Sequence, residues 1–228
     1  MDINGPGKAV LLIHGIFDTD DIFWQMSQYL INLGWDVHSF NLSPNTGGIG
    51  LDKLAEQVED YVNKKFVSDQ LFNIVGFSMG GIVSRYYLQR LGGIQRVNTF
   101  ISISSPHNGT WTAYPLALPG ILQMRPDSDF LRDLNSDIQM LENINFVSMW
   151  TPLDLMIMPA NSSHVNVGKE MKFNVLRHDL MVKDPTVIKA VEQELCLGLG
   201  RQVLEQMKAD RQQREDLTDF YNRASGNL

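Results

Sequence analysis

Apolar residues in this chain fall into short continuous runs separated by longer stretches of helical period. Residues 9–13 (Ala-Val-Leu-Leu-Ile), 71–75 (Leu-Phe-Asn-Ile-Val) and 97–103 (Val-Asn-Thr-Phe-Ile-Ser-Ile) read as buried strands, with further strands at 35–40, 143–149 and 171–176. Between them Ile22, Phe23, Met26, Tyr29, Leu30 and Leu33 share one face of a helix over 21–33, and Leu51, Leu54, Ala55, Val58 and Val62 do so over 51–66. The helical period returns through Ile82, Val83, Tyr86, Tyr87 and Leu91, and a last helix opens at Pro185, where the missing N–H costs nothing, and runs to about residue 197. Strands alternating with helices imply right-handed crossovers and an α/β architecture, a mostly parallel sheet with helices on both faces. Ligands of such sheets sit beyond the carboxyl ends of the strands.

Two stretches break the alternation. No clear strand lies between residues 105 and 140, and residues 111–124 carry no charge at all. A loop that apolar covers something or is covered. From residue 200 onward Val203, Leu204 and Met207 precede a charged stretch, 208–216, in which Ala209 is the one apolar residue; Leu217, Phe220 and Tyr221 follow. This pattern predicts a helical, partly solvated tail over 200–228, attached to one domain over 1–199 that carries a short lid-like insertion at about 106–140.

Composition narrows the function classes. A chain of 228 residues with 43% hydrophobic content buries one sizeable core. The net charge of -7 argues against nucleic acid, because no Lys/Arg cluster is present to neutralise phosphates, and against attraction to an anionic membrane. Cys196 is the only cysteine, so no disulfide forms within the chain. The first apolar run is too short for a signal-peptide core and no stretch reaches the length of a membrane span. The expectation is a cytoplasmic protein, peripheral at membranes at most and needing neither metal nor cofactor. A protein partner for the tail is an open question at this stage.

The candidate chemistry lies where the strand over 71–75 gives way to a helix, at Gly76-Phe77-Ser78-Met79-Gly80. A serine on a sharp strand-to-helix turn needs small neighbours two residues before and two after, and Gly76 and Gly80 supply them. A hydroxyl is a poor nucleophile until a base takes its proton, and the base works best when a carboxylate fixes its tautomer. Five histidines are available, at 14, 38, 107, 164 and 178. His38 lies within a strand upstream of the serine, and His14 opens a turn that its ring braces by hydrogen bonding. His107 follows a strand in Ser105-Pro106-His107-Asn108-Gly109, where it serves the loop first and offers a substrate contact second. His178 follows the last strand in a polar turn before a helix, which favours it over His164 as the base. Asp154 follows the strand over 143–149 and precedes His178, giving the order serine, acid, histidine; Asp179 competes only by adjacency. An acyl-transfer oxyanion needs two donors, assigned to the N–H of Met79 at the helix start and that of Ile16, preferred over Phe17, in His14-Gly15-Ile16. Phe17, Phe77, His107 and Trp111 are candidate substrate contacts.

These residues resemble the α/β-hydrolase superfamily and, within it, the small triacylglycerol lipases and esterases of bacterial type, lipase class 2. Leu-Leu-Ile-His14-Gly15-Ile16 looks like that group's oxyanion loop, Gly-Phe-Ser78-Met79-Gly-Gly its elbow, Pro106-His107-Asn108-Gly109-Thr110 its characteristic loop, and 128–135 its segment before the acid strand. The resemblance places the acid on Asp154 and the base on His178, and it departs from the group at Phe77, where the group usually has histidine, and in the acidic tail. It implies a serine hydrolase of fatty acyl esters with an acyl-enzyme intermediate. An acyltransferase or thioesterase would use the same residues, and a non-catalytic binding module would be expected to have lost one of them.

Overall fold

The computed structural model describes residues 8–201 and 204. Its framework is a six-stranded sheet in the order β2-β1-β3-β4-β5-β6, all neighbours parallel. The strands are β1 (Ala9–Ile13), β2 (Asp36–Ser39), β3 (Phe72–Phe77), β4 (Val97–Ile103), β5 (Asn145–Trp150) and β6 (Lys169–Lys172). The helices are α1 (Trp24–Asn32), α2 (Leu51–Lys65), α3 (Met79–Arg90), α4 (Pro119–Gln123), α5 (Asp129–Ser136) and α6, over 185–201.

Because side chains alternate across a strand, each buried strand feeds two cores. Leu11, Ile13, Phe72, Ile74 and Phe100 pack on one face with α2, α3 and α5 through Leu54, Val58, Ile82, Leu88 and Leu134. Val10, Leu12, Val75, Ile101 and Val147 pack on the other with α1 and α6 through Met26, Leu30, Val187, Val191 and Leu195. Strands covered on both faces have no polar side to show, which is why 9–13 reads as an unbroken apolar run and 72–77 as one broken by Asn73, whose buried amide donates to Ala9 O.

Element boundaries differ from expectation at three places. The helix expected over 21–33 starts with a 3-10 turn, Asp20–Phe23, and becomes α-helical only at Trp24. Strand β5 begins two residues late because a 3-10 turn, Ile138–Asn143, takes up its approach. The strand expected over 171–176 runs instead from Lys169 to Lys172, since an edge strand has one neighbour and pairs only where β5 offers partners, Val147 to Trp150. Of the tail expected over 200–228, all but residues 200, 201 and 204 lies outside the described residues. Among the described residues no helix is long and apolar enough to cross a membrane.

All six strands being parallel, their carboxyl ends share one edge. That edge gathers the loops after β1, β3, β4, β5 and β6, which carry Ile16, Ser78, His107, Asp154 and His178 respectively. The central position of β4 makes its packing a test of the framework. Phe100, fully buried and stacked on Phe146 at 5.2 Å between ring centroids, is expected to cost about 3–5 kcal/mol when changed to Ala, read as a lower urea midpoint.

Candidate active site

Only one residue separates β3 from α3. Ser78 carries the whole reversal, at φ 53 and ψ -123, a conformation that costs a non-glycine residue energy and that its surroundings impose. Its N–H donates to Ile103 O at 2.9 Å and its carbonyl accepts from Gly81 N–H at 3.1 Å. The flanking glycines are needed for closeness. A Cβ on Gly76 would sit 2.7 Å from Gly81 Cα, one on Gly80 would overlap the carbonyl oxygens of Ile13 and His14, and one on Gly81 would overlap Ser105 Oγ. The helix therefore starts jammed against β1 and the loop after β4, and the serine is the residue left to turn.

Around the elbow the loops are braced from below. His14 is fully buried; its Nδ1–H donates to Gly15 O at 2.8 Å and its Nε2 accepts the Leu42 N–H at 2.9 Å, which fixes the tautomer and ties the loop after β1 to the exit of β2. Gly15 leaves room for Ser78: a Cβ there would meet Ser78 Cβ at 3.0 Å and Asp18 Oδ2 at 2.8 Å. The next N–H groups divide their work. Phe17, at φ 62, donates to Asn45 O at 2.8 Å, while Ile16 N–H has no backbone acceptor among the described residues. Met79 N–H sits at the first position of α3, where a helix has no internal acceptor for it.

Asp154 and His178 meet directly. His178 Nδ1–H donates to Asp154 Oδ2 at 2.7 Å, and Asp154 Oδ1 accepts the N–H groups of Met156 and Ile157 at 2.9 and 3.0 Å. Burial alone would raise the Asp154 pKa; the bond and charge of His178 and the two backbone donors outweigh it and hold the carboxyl below its ordinary value. Thr151 Oγ1 donates to Val175 O at 2.8 Å, lashing the acid loop to the loop that leads to His178. The imidazole lies on the ring of Phe77, the residue before Ser78, at 4.7 Å between centroids. The hydrogen-bonded chain from Asp154 ends at His178 among the described residues. Asp18, on the other side of Gly15, has its carboxyl pKa raised by burial, against the pull of His14, His178 and Lys183.

Beside Ser78 opens a cavity of about 100 Å³, lined by Ile16, Phe17, Pro106, Ala113, Leu116, Ile121, Met124, Met156 and Ile157 and by Thr110 and Thr112. Five of these come from the uncharged stretch over 111–124. Thr112 Oγ1 donates to Met156 O at 2.6 Å and Trp111 N–H to Met158 O at 2.8 Å, so that stretch is stitched to the segment that follows the acid.

Of the four candidate substrate contacts, only Phe17 lies on the cavity. The other three lie off its wall. His107 is fully buried under its loop, 2.7 Å from Ser102 Oγ, and burial, together with the charge of Arg85, drives its pKa well below the usual imidazole range. Phe77 is buried behind the serine, between Phe23 and His178. Trp111 points outward, leaving its neighbours Thr110, Thr112 and Ala113 to face the cavity. His38 and His164 are occupied elsewhere, with Asp36 and with Glu170 and Asn166. Sequence reading missed Met156 and Ile157, which both orient the acid and wall the cavity; the uncharged Met-Ile-Met directly after Asp154-Leu155 was the available signal.

A family model described as palmitoyl protein thioesterase matches residues 9–128, more than half of the chain. The match takes in the loop after β1 and the Ser78 elbow and stops short of Asp154 and His178. No curated protein sequence matches this chain. Among solved structures it is similar to lipase B of Aspergillus fumigatus, with a TM-score of 0.69 and 17% identity over 80% of this chain and 51% of that one. It is also similar to the mature lipase BlEst2 of Bacillus licheniformis, with a TM-score of 0.68 and 12% identity over 83% of this chain and 91% of that one. An extracellular alpha/beta-hydrolase from a Paenibacillus species aligns with a TM-score of 0.58 and 17% identity, over 83% and 97% of the two chains. The chain spans about half the length of the Aspergillus lipase. The shared feature at these identities is the fold, that of the α/β-hydrolases.

The crowding around the elbow is testable by contrast. Gly92, at φ +76 with nothing near its Cβ position, should tolerate Ala at about 1 kcal/mol, the backbone cost alone. Gly80→Ala is expected to lose clearly more, at the upper end of the 1–3 kcal/mol of overpacking. Equal thermal midpoints for the two variants would refute the crowding.

Proposed function

This chain belongs to the palmitoyl protein thioesterase family, and from that premise we propose that it is a serine hydrolase that cleaves fatty acyl groups from ester or thioester linkage. The observation that carries the reading is the 2.7 Å bond from His178 Nδ1 to Asp154 Oδ2, held against Phe77 at the side of the Ser78 elbow and next to an apolar cavity. A histidine with its tautomer fixed by a buried carboxylate is what a serine hydroxyl needs as its base.

In this reading Ser78 Oγ attacks the acyl carbonyl while His178 Nε2 takes its proton. Charge then develops on the carbonyl oxygen, and the N–H groups of Ile16 and Met79 receive it, each worth about 2.7–4 kcal/mol when aimed at that oxygen. His178, now cationic and stabilised by Asp154, passes the proton to the leaving group. Water repeats the sequence on the acyl-enzyme and frees the fatty acid. Phe17, Leu116 and Met156 are both on the cavity wall and exposed, which supports an acyl chain entering from a lipid surface or a lipid-modified protein.

The family match favours the thioester form of the reaction. A thiol has a pKa near 8.5, so it departs as a thiolate with little help from His178, whereas an alcohol needs the proton. The two are separated by kcat/KM for matched palmitoyl thioester and oxygen-ester substrates; a clear excess for the thioester assigns the chain to thioester hydrolysis, and the reverse to ester hydrolysis.

Ser78→Ala is expected to bring hydrolysis of a p-nitrophenyl acyl ester to background and to abolish labelling by a fluorophosphonate probe, with unchanged circular dichroism. Substantial remaining turnover would sink the mechanism. Asp154→Asn should lower kcat by about 10⁴-fold at neutral pH, because the amide no longer holds the required tautomer; a loss confined to KM would remove Asp154 from this role.

A further inference from the structure

The cavity beside Ser78 holds about 100 Å³, against the roughly 300–1,000 Å³ of pockets that bury a ligand of drug size. A fatty acyl chain of ten or more carbons exceeds that volume, and the cavity gains room where a wall can move. The walls are not equally fixed. At the back, Ile121 and Met124 belong to α4 and its end, and Gln123 in the same turn bonds Leu51 N–H at 2.5 Å and Asp52 Oδ1 at 3.0 Å at the start of α2. On the far side, Met156 and Ile157 are held by Asp154.

The front wall, residues 113–118, is different. Ala113 and Tyr114 N–H close a single turn on Thr110 and Trp111, Pro115 has no N–H, and no backbone bond ties 115–117 to the rest of the described chain. The carbonyl groups of this segment converge on one side chain. Arg125 donates from Nε to Ala113 O at 3.2 Å and from Nη2 to Tyr114 O and Leu116 O at 3.0 and 3.1 Å, and its guanidinium lies 5.1 Å from the Tyr114 ring centroid. A planar fork with several donors is suited to gripping three carbonyls at once, which a point charge on a flexible stem is not.

We propose that Arg125 is a specificity-determining latch: its guanidinium holds the front wall over 113–118 closed on the acyl cavity, so that long acyl chains enter only when those three carbonyl bonds release. The inference rests on the acyl-hydrolase reading above. Short chains fit the closed cavity and do not depend on the latch; long chains draw on the open state alone. Removing the latch therefore raises reactivity toward long chains relative to short ones. Loss of one charged hydrogen bond from the closed state alone shifts the balance by about tenfold or more.

The test compares full-length wild type, Arg125→Ala and Arg125→Lys on p-nitrophenyl butyrate and p-nitrophenyl laurate, with amide hydrogen exchange on the same proteins. The expected result is a laurate-to-butyrate ratio of kcat/KM about tenfold or more higher in Arg125→Ala, with butyrate little changed and Arg125→Lys between. Exchange should speed up at Ala113 and Tyr114, with α2 and α3 unaffected. An unchanged ratio, or a parallel fall on both esters, overturns the latch. If wild type hydrolyses neither ester nor a matched thioester, the hydrolase reading fails. The exchange at Ala113 and Tyr114 then still decides whether Arg125 holds the segment, and unchanged exchange refutes it.

Discussion

The structure depends on a backbone that must reverse within one residue. Strand β3 ends at Phe77 and α3 begins at Met79, so Ser78 has no room to relax toward an ordinary conformation. Gly76, Gly80 and Gly81 allow α3 to press against the carbonyl oxygens at the end of β1 and the serine of the loop after β4. This contact fixes three things together: the side of Ser78 that faces the cavity, the direction of the first N–H of α3, and the distance from that N–H to the loop after β1. A strained turn of this kind persists only where packing on both sides over-determines it. The two apolar layers on β1, β3 and β4 supply that packing.

A second economy of construction joins the acid to the cavity. Met156 and Ile157 give their N–H groups to Asp154 and their side chains to the cavity wall, and Thr110 and Thr112 accept or donate at the same segment. The carboxylate bonded to His178 is thus anchored by residues whose side chains line the cavity. The cavity wall and the loop that holds the carboxylate facing His178 share these two residues.

Much of this was legible in the sequence for identifiable reasons. Central strands buried on both faces announce themselves as apolar runs, and strand–helix alternation fixes the parallel order, so every strand-end loop falls on one edge. Of the five histidines, the four set aside each have a local partner, Gly15 and Leu42 for His14, Asp36 for His38, Ser102 for His107 and Glu170 for His164, while His178 faces Asp154. What the sequence concealed is set by the third dimension. The edge strand β6 is Lys-Glu-Met-Lys, exposed except for the partly buried Met171, where an apolar run was expected a few residues later, because its extent is decided by which residues of β5 it pairs with. Trp111 and His107 sit in the right loops but point outward and inward respectively, and a side chain's direction in an irregular loop has no period to betray it. Arg125 was invisible for the same reason: nothing in its neighbourhood marks the three carbonyl groups that it gathers.

Phe77 shows how a departure from a motif acquires a physical meaning. At this position a polar ring would offer a competing hydrogen-bond partner beneath the imidazole. Phenylalanine offers a face and no acceptor: its ring lies 4.7 Å from that of His178 and 6.5 Å, edge-on, from that of Phe23 in the turn before α1. Such ring contacts contribute about 0.5–1.5 kcal/mol each beyond their buried area, comparable to a net hydrogen bond. The imidazole is thereby confined from below by a surface that cannot compete for its Nδ1 proton, and Asp154 is left as that proton's acceptor. Because Phe77 is also the last residue of β3, the ring on which His178 rests and the turn at Ser78 are consecutive in the chain, so the position of the imidazole is referred to the strand as well as to its own loop.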